Sequence, residues 1–293
     1  MSSSLSLQRA VSVAKRWAAR RSPLSTRGLL RPSAALGSHS SSSTGRQSSF
    51  RFLSTTSSAN ESNFDTIGVI GLGLMGHGIC QVAAQSHHSS VVAFEQEQRF
   101  LDSGKERIEK SISKLVSKGK LTQDDADATL NKIIWTTDMD ALKDVDFIVE
   151  AVIENMDLKQ ELYTSLGELC KPETIFASNT SSLSISEMAQ FSGREDRFLG
   201  VHFFNPVQLM KLVEVIKTER TSQEAFDRAY NWVKEIRKVP VSCGDTPGFI
   251  VNRLLVPSLM QALLMVDRQD ASIRDIDISM VSEESFVLFV VTV

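Results

Sequence analysis

Acidic residues are missing from the first sixty positions of this 293-residue chain; the first is Glu61. The same stretch holds eight Arg, one Lys and 18 Ser. A basic, serine-rich, acid-free segment has the make-up of an organelle transit peptide. Leu5, Leu7, Val11, Val13, Ala14 and Trp17, set against Arg9, Lys15, Arg16, Arg20 and Arg21, predict an amphipathic helix over 5–21. Arg51-Phe52-Leu53-Ser54 resembles a mitochondrial processing site. Residues 1–60 therefore read as a leader addressed to the mitochondrial matrix, the competing reading being a basic tail for an acidic partner.

Cysteine is scarce. Cys80, Cys170 and Cys243 are scattered and show no CxxC spacing, which argues against a disulfide framework and against a metal site. They read as reduced, packed thiols. No apolar run reaches membrane length. Positive charge is also short outside the leader. The whole chain is −3 and the leader +9, so residues 61–293 carry −12 from 23 basic and 35 acidic residues. A balance this acidic gives no support for nucleic-acid binding. The remaining stretch of about 230 residues suffices for one large domain or two smaller ones.

Thr66–Ile70 is a short apolar run that predicts a strand. Gly71, Leu72, Gly73, Leu74, Met75 and Gly76 follow at once as GxGxxG, and residues 78–84 read as a helix. Strand, glycine loop and helix together predict a dinucleotide site. Gly71 allows the tight turn, Gly73 lets backbone approach a pyrophosphate, and Gly76 lets helix pack on strand. The helix N-terminus then presents free N–H groups to the phosphates. A second strand, Val91–Phe94, ends at Glu95, 19 residues after Gly76. An acid there accepts hydrogen bonds from ribose hydroxyls and repels a 2′-phosphate, so NAD is favoured over NADP. The plain alternative is a glycine turn with a surface acid.

Further strands are predicted over 133–136, 147–151, 174–178, 198–203 and 212–216. Helical patterns lie between several of them, with Ser184-x-x-Glu187 and Thr221-x-x-Glu224 as capping boxes. This alternation predicts an α/β, Rossmann-type, doubly wound and mainly parallel sheet. A helical excursion over 98–118 and 123–132 interrupts it, with Ser111 and Lys118 on one helix face.

Histidine is rare too. Beyond residue 80 there are the pair His87–His88 in a polar loop and His202, which ends an apolar run. Asn205 and Pro206 follow His202, and Glu214 comes twelve residues after it. A histidine leaving a buried strand, with a carboxylate returning to it, suits a general base. Taken alone it reads first as a satisfied core histidine.

Five ordered segments carry a resemblance. They are Ile70–Gly78 (IGLGLMGHG), Val149–Lys159 (VEAVIENMDLK), Ala177–Leu183 (ASNTSSL), Val201–Glu214 (VHFFNPVQLMKLVE) and Ser242–Arg253 (SCGDTPGFIVNR). From about residue 65 to 280 the chain resembles the short-chain L-3-hydroxyacyl-CoA dehydrogenases. The resemblance implies NAD-dependent oxidation of a 3-hydroxyacyl-CoA in fatty-acid β-oxidation. It implies His202 as base, Glu214 as its orienting acid, and Ser181 and Asn252 as groups positioning the substrate. Asn205, Glu154, Lys159 and Ser181 fall at family positions beside the cofactor, and Ser111 and Lys118 at positions for the coenzyme A moiety. Local roles compete: Ser181 as a helix cap, Asn252 as a cap after Pro247-Gly248, and Lys118 as a solvated lysine. Related readings are a hydroxyisobutyrate-type dehydrogenase, which uses a catalytic lysine and lacks HFFNP, and a sugar-acid dehydrogenase.

The resemblance further implies a helical second domain that closes the active site and forms a homodimer. The expected division is 1–60 leader, 64–243 NAD-binding domain and 244–293 an incomplete all-α substrate and dimerisation domain. Residues 249–266 predict its long first helix, kinked at Pro257, and 273–280 begin the second. After Met280 the similarity stops. Phe286–Val293 has seven apolar residues in eight and neither glycine nor proline, an aggregation-prone pattern. Leu254, Leu255, Leu259, Leu263 and Leu264 would then lack bundle partners. The expectation is an incomplete transcript, a mis-spliced product or a form that binds NAD without turnover.

Overall fold

Short apolar runs rich in β-branched residues become strands here because they can be buried on both faces of a sheet. The computed structural model describes residues 62, 64–86 and 90–282. The leader with its 5–21 helix and processing motif, the His87–His88 pair and the 286–293 tail lie outside the described residues. The strands are β1 (Thr66–Ile70), β2 (Ser90–Phe94), β3 (Ile133–Thr136), β4 (Phe147–Glu150), β5 (Ile175–Ser178), β6 (Phe198–Phe203), β7 (Leu212–Lys217) and β8 (Val239–Gly244). Among the described residues they form one sheet in the order β3-β2-β1-β4-β5-β6-β7-β8. Every adjacent pair is parallel except β6 with β7. The chain winds outward from β1 to β3, then returns through β4. That reversal puts a topological switch point between β1 and β4, and ligands of such sheets bind beyond the carboxyl ends of the strands there.

Helices α1 (Gly76–Ala84), α2 (Gln98–Ser117) and α6 (Gln223–Glu235) cover one face. Ile79, Ile108, Trp232 and Val233 pack there on Ile67, Val69, Phe147 and Val149. Helices α4 (Met156–Leu169) and α5 (Ile185–Ala189) cover the other, with Tyr163, Leu166 and Met188 against Ile70, Ile148 and Phe176. Neighbouring strand residues go to opposite clusters, as the two-residue period of a strand requires. α2 and α3 (Gln123–Asn131) make the helical excursion between β2 and β3.

One strand was not predicted and one local expectation is corrected. Val239–Gly244 forms a strand that includes Pro240; β8 lies at the sheet edge, where a residue without N–H is tolerated. Thr221 does not cap α6. Its hydroxyl donates to the Phe198 carbonyl at 2.7 Å, and Thr218 and Thr221 close the turn before the helix by mutual side chain–backbone bonds. Ser222 caps instead, accepting from the Ala225 N–H. Ser184 caps α5 as expected, through the Glu187 N–H.

After β8 the chain turns through Gly248 (φ 80°) and Phe249 (φ 51°) into α7 (Val251–Asp267), which contains Pro257, and α8 (Ile273–Ser282). Left-handed backbone at a phenylalanine costs ~1–3 kcal/mol; Phe249 holds it while buried in the second cluster. Leu254, Leu255, Leu259 and Leu263 on α7 are all exposed. Among the described residues no helix is long and apolar enough to cross a membrane.

Candidate active site

The β1–α1 turn is closed by backbone approach. Gly71 sits at φ 87°, and a Cβ there would meet the Ala151 carbonyl oxygen at 2.9 Å. A Cβ on Gly76 would overlap the Gly71 carbonyl oxygen, so only glycine fits. At Gly73 nothing lies within 4 Å of where a Cβ would stand, which leaves that backbone open. Leu72 points into the core, Leu74 is exposed, and Met75 precedes α1 without capping it through its side chain. The first turn of α1 thus keeps N–H groups for an anion. Glu95, buried at the end of β2, accepts the Leu72 N–H at 2.8 Å and the Gln96 N–H at 3.2 Å.

Four strands away, His202 and Glu214 are direct cross-strand partners in the antiparallel β6–β7 pair. Their side chains meet at 2.7 Å, Nδ1 to Oε2. The other Glu214 oxygen accepts the N–H groups of Ile250 and Val251 at 3.1 and 2.8 Å, at the start of α7. Burial alone would raise the Glu214 carboxyl; the His202 bond and these N–H groups outweigh it and hold it below the usual range. A carboxylate accepts only, so it fixes the proton on Nδ1 and leaves Nε2 as a basic lone pair. Phe204 and Phe249 flank the imidazole, with ring centroids 4.5 and 5.7 Å away.

A third group gathers beyond β4 and β5. Glu154 Oε1 accepts the Thr180 hydroxyl at 2.7 Å, the Ser181 N–H at 2.8 Å and the Ser181 hydroxyl at 3.2 Å. Its Oε2 lies 3.3 Å from Lys159 Nζ. Burial works to raise the Glu154 carboxyl, but the Lys159 charge and these bonds bring it below its ordinary value. Asn252, in the first turn of α7, donates to the Ser181 carbonyl at 3.3 Å. The local alternatives for Ser181 and Asn252 thus give way: α5 is capped by Ser184, and Asn252 bonds across to another element.

Residues 66–246 match the family model described as 3-hydroxyacyl-CoA dehydrogenase, NAD binding domain, and residues 248–284 match the one described as its C-terminal domain. The chain belongs to the 3-hydroxyacyl-CoA dehydrogenase family. It is 48% identical over 220 residues to the human mitochondrial hydroxyacyl-coenzyme A dehydrogenase, covering 73% of this chain and 70% of that one. It is 50% identical over 199 residues to a probable 3-hydroxybutyryl-CoA dehydrogenase of Deinococcus radiodurans, covering 68% and 71%. Among solved structures, FadB2 of Mycobacterium tuberculosis has a TM-score of 0.73 at 37% identity over 76% of this chain and 78% of that one. An (S)-3-hydroxybutyryl-CoA dehydrogenase from Ralstonia eutropha has 0.71 at 36%, over 73% and 75%.

The family is one of NAD-dependent dehydrogenases, and the residues of the glycine loop fit that cofactor: a cradle that a Cβ would fill at Gly76, open backbone at Gly73 and an acid at Glu95. Asn205 is exposed on the β6–β7 turn. The Lys238 ammonium pins that turn through the Val207 and Met210 carbonyls, and Val207 packs against Gly78 of α1. Ser111 is half-buried on α2 and Lys118 exposed at its C-terminal cap; among the described residues no bond joins either to the His202 or Glu154 groups. Lys159, read from sequence as a residue beside the cofactor, is fully buried.

Sequence reasoning passed over three residues. Glu150 binds Lys159 from within the sheet. Asp245 accepts from the Ser184 hydroxyl and from the N–H groups of Ile185 and Ser186 at 2.8–3.1 Å, tying the chain before α7 to α5. Lys238 is the third. Glu150 left a signal, an acid inside an apolar run nine residues before a lysine; the other two left none. Burial pushes the Cys170 thiol up to about 12 and Cys243 to about 11, and Cys80 further, which disfavours the thiolate at each.

Proposed function

We propose that this chain oxidises (S)-3-hydroxyacyl-CoA to 3-oxoacyl-CoA with NAD, with His202 as general base. The observation that carries this is the 2.7 Å bond from His202 to a Glu214 carboxylate that also anchors the helix bearing Asn252. His202 Nε2 takes the proton of the substrate hydroxyl, and Glu214 stabilises the imidazolium that forms. NAD, held by residues 71–76 and Glu95, would supply the acceptor for the hydride that leaves the hydroxyl-bearing carbon. Ser181 and Asn252 hold the substrate hydroxyl and thioester carbonyl by hydrogen bonds. Residues 71–76 and the α1 N-terminus bind the pyrophosphate, and Glu95 the adenosine ribose hydroxyls. Glu154 and Asn205 border the nicotinamide side, and Ser111 and Lys118 receive the coenzyme A moiety, Lys118 through a phosphate. The acid-free leader and the mitochondrial relative support a matrix enzyme of fatty-acid β-oxidation.

The test is reduction of acetoacetyl-CoA, followed as loss of NADH absorbance, in the native chain and in His202→Gln. Turnover should fall by orders of magnitude in the variant while NADH still binds. Unchanged turnover removes His202 from its role. A second reading rests on the exposed leucines of α7: the chain binds NAD but does not turn over. NADH binding without any acetoacetyl-CoA reduction in the native chain would favour it.

A further inference from the structure

The glycine loop runs straight into a histidine. His77 is the second residue of α1 and is half-buried. Its Nδ1 lies 2.7 Å from the Gly73 carbonyl oxygen. A carbonyl oxygen only accepts, so Nδ1 carries the proton and donates it into this bond. The His77 backbone N–H reaches the same oxygen at 3.3 Å. That is longer than an ordinary N–H···O bond, so the imidazole makes the tighter of the two contacts. One residue thus holds one carbonyl twice, across the first turn of the helix.

That carbonyl belongs to the least restrained residue of the loop. Gly73 is exposed, and nothing lies within 4 Å of where its Cβ would stand. Gly71 and Gly76, by contrast, are hemmed in by the Ala151 and Gly71 carbonyl oxygens. Glycine has more backbone conformations to lose than any other residue. Leu74, the next residue, is itself 64% exposed, so little packing selects among those conformations. A peptide unit is planar and trans, so the Gly73 carbonyl and the Leu74 N–H point in opposite directions. Drawing the carbonyl into α1 therefore turns the Leu74 N–H out ahead of the helix. Among the described residues that N–H donates to nothing. A spare donor at the positive end of a helix suits an anion.

We propose that His77 is a positioning residue of the cofactor site: through Nδ1 it holds the Gly73 carbonyl and so aims the Leu74 N–H at the dinucleotide pyrophosphate. This rests on the reading above that residues 71–76 bind the pyrophosphate. The role needs a donor at Nδ1 and no charge on the ring, since neutral imidazole and imidazolium can both donate there. Asparagine is the matching substitute. Its amide nitrogen hangs from Cγ as Nδ1 does, and it donates without ever carrying charge.

The test is titration of NADH, with ADP and adenosine as competitors against it and no acyl-CoA present, in the native chain, His77→Ala, His77→Asn and Gly73→Ala. His77→Ala should weaken NADH and ADP about 10-fold, the size of one charge-assisted hydrogen bond largely lost. Adenosine has no phosphate and should keep its native affinity. His77→Asn should restore most of the NADH and ADP affinity. A loss in His77→Asn as large as in His77→Ala would mean that ring or charge, rather than the Nδ1 donor, is what counts, and would overturn the proposal. An equal loss of adenosine would mean that the whole loop has shifted, and would overturn it too. Native NADH affinity in His77→Ala, with a loss in Gly73→Ala, would remove His77 while the reading of the loop stands. Unchanged affinity in Gly73→Ala would remove that reading and the proposal together.

Discussion

Glu214 divides its two oxygens between His202 Nδ1 at 2.7 Å and the first N–H groups of α7. A glutamine in its place can keep the α7 bonds only by turning its NH2 toward Nδ1. The imidazole must then accept at Nδ1 and carry its proton on Nε2, where the base is needed. Glu214→Gln should therefore fold and bind NADH, yet lose turnover by about 10⁴-fold, the scale seen when an orienting acid leaves the wrong tautomer. Retention of a tenth of native turnover would show that Glu214 does not set the tautomer.

Acid should unfold the protein through the same kind of group. Glu214, Glu154 and Asp245 all have folded-state carboxyls below their ordinary values of 4.5, 4.5 and 3.8, despite burial that works to raise them. A lowered folded value means stability that is fully present above the unfolded value and is lost as pH falls through the folded one. Urea midpoints should be flat near neutrality and decline from about pH 4.5 downward. Asp245→Asn removes one acceptor from the α5 N-terminus and should cost about 1 kcal/mol at pH 7. Its deficit should shrink toward zero in acid. A deficit independent of pH would assign the loss to packing instead.

Two glycines of one loop should fail differently. At Gly76 a Cβ overlaps the Gly71 carbonyl oxygen, so Gly76→Ala must push α1 off β1, at about 3 kcal/mol or more. At Gly73 the space is open, so Gly73→Ala should melt near the native temperature and lose NADH affinity alone. Thermal melts with and without NADH separate the two. A Gly73→Ala protein that binds NADH normally would mean that the pyrophosphate does not pass over that backbone.

How far the site could be read in advance follows from the range of the interactions. Seven strands were legible because each is a local apolar run, and the His202–Glu214 partnership because a hairpin makes twelve residues of sequence into one cross-strand step. β8 was not among the predicted strands; it holds Pro240, which is tolerated because the strand lies at the sheet edge. Thr221 looked like a cap because nothing in its neighbourhood reveals that β6 waits for its hydroxyl. The burial of Lys159 was not legible because its enclosure comes from Glu150, an acid in an apolar strand whose four donors converge only in the fold.

Cofactor choice should turn on Glu95. Its carboxylate is buried and fixed on the Leu72 N–H, so a 2′-phosphate placed over the end of β2 would face a negative charge that no ion pair among the described residues neutralises. Glutamine keeps an oxygen for Leu72 and removes the charge. Glu95→Gln should leave folding and NADH turnover within a few-fold of native, because the ribose hydroxyls still find an amide. It should raise kcat/KM for NADPH by about 10-fold or more, equivalent to about 1.4 kcal/mol of relieved repulsion. The ratio of kcat/KM for NADH over NADPH reads this directly. An unchanged ratio would mean that the loop shape, rather than the Glu95 charge, excludes the phosphate.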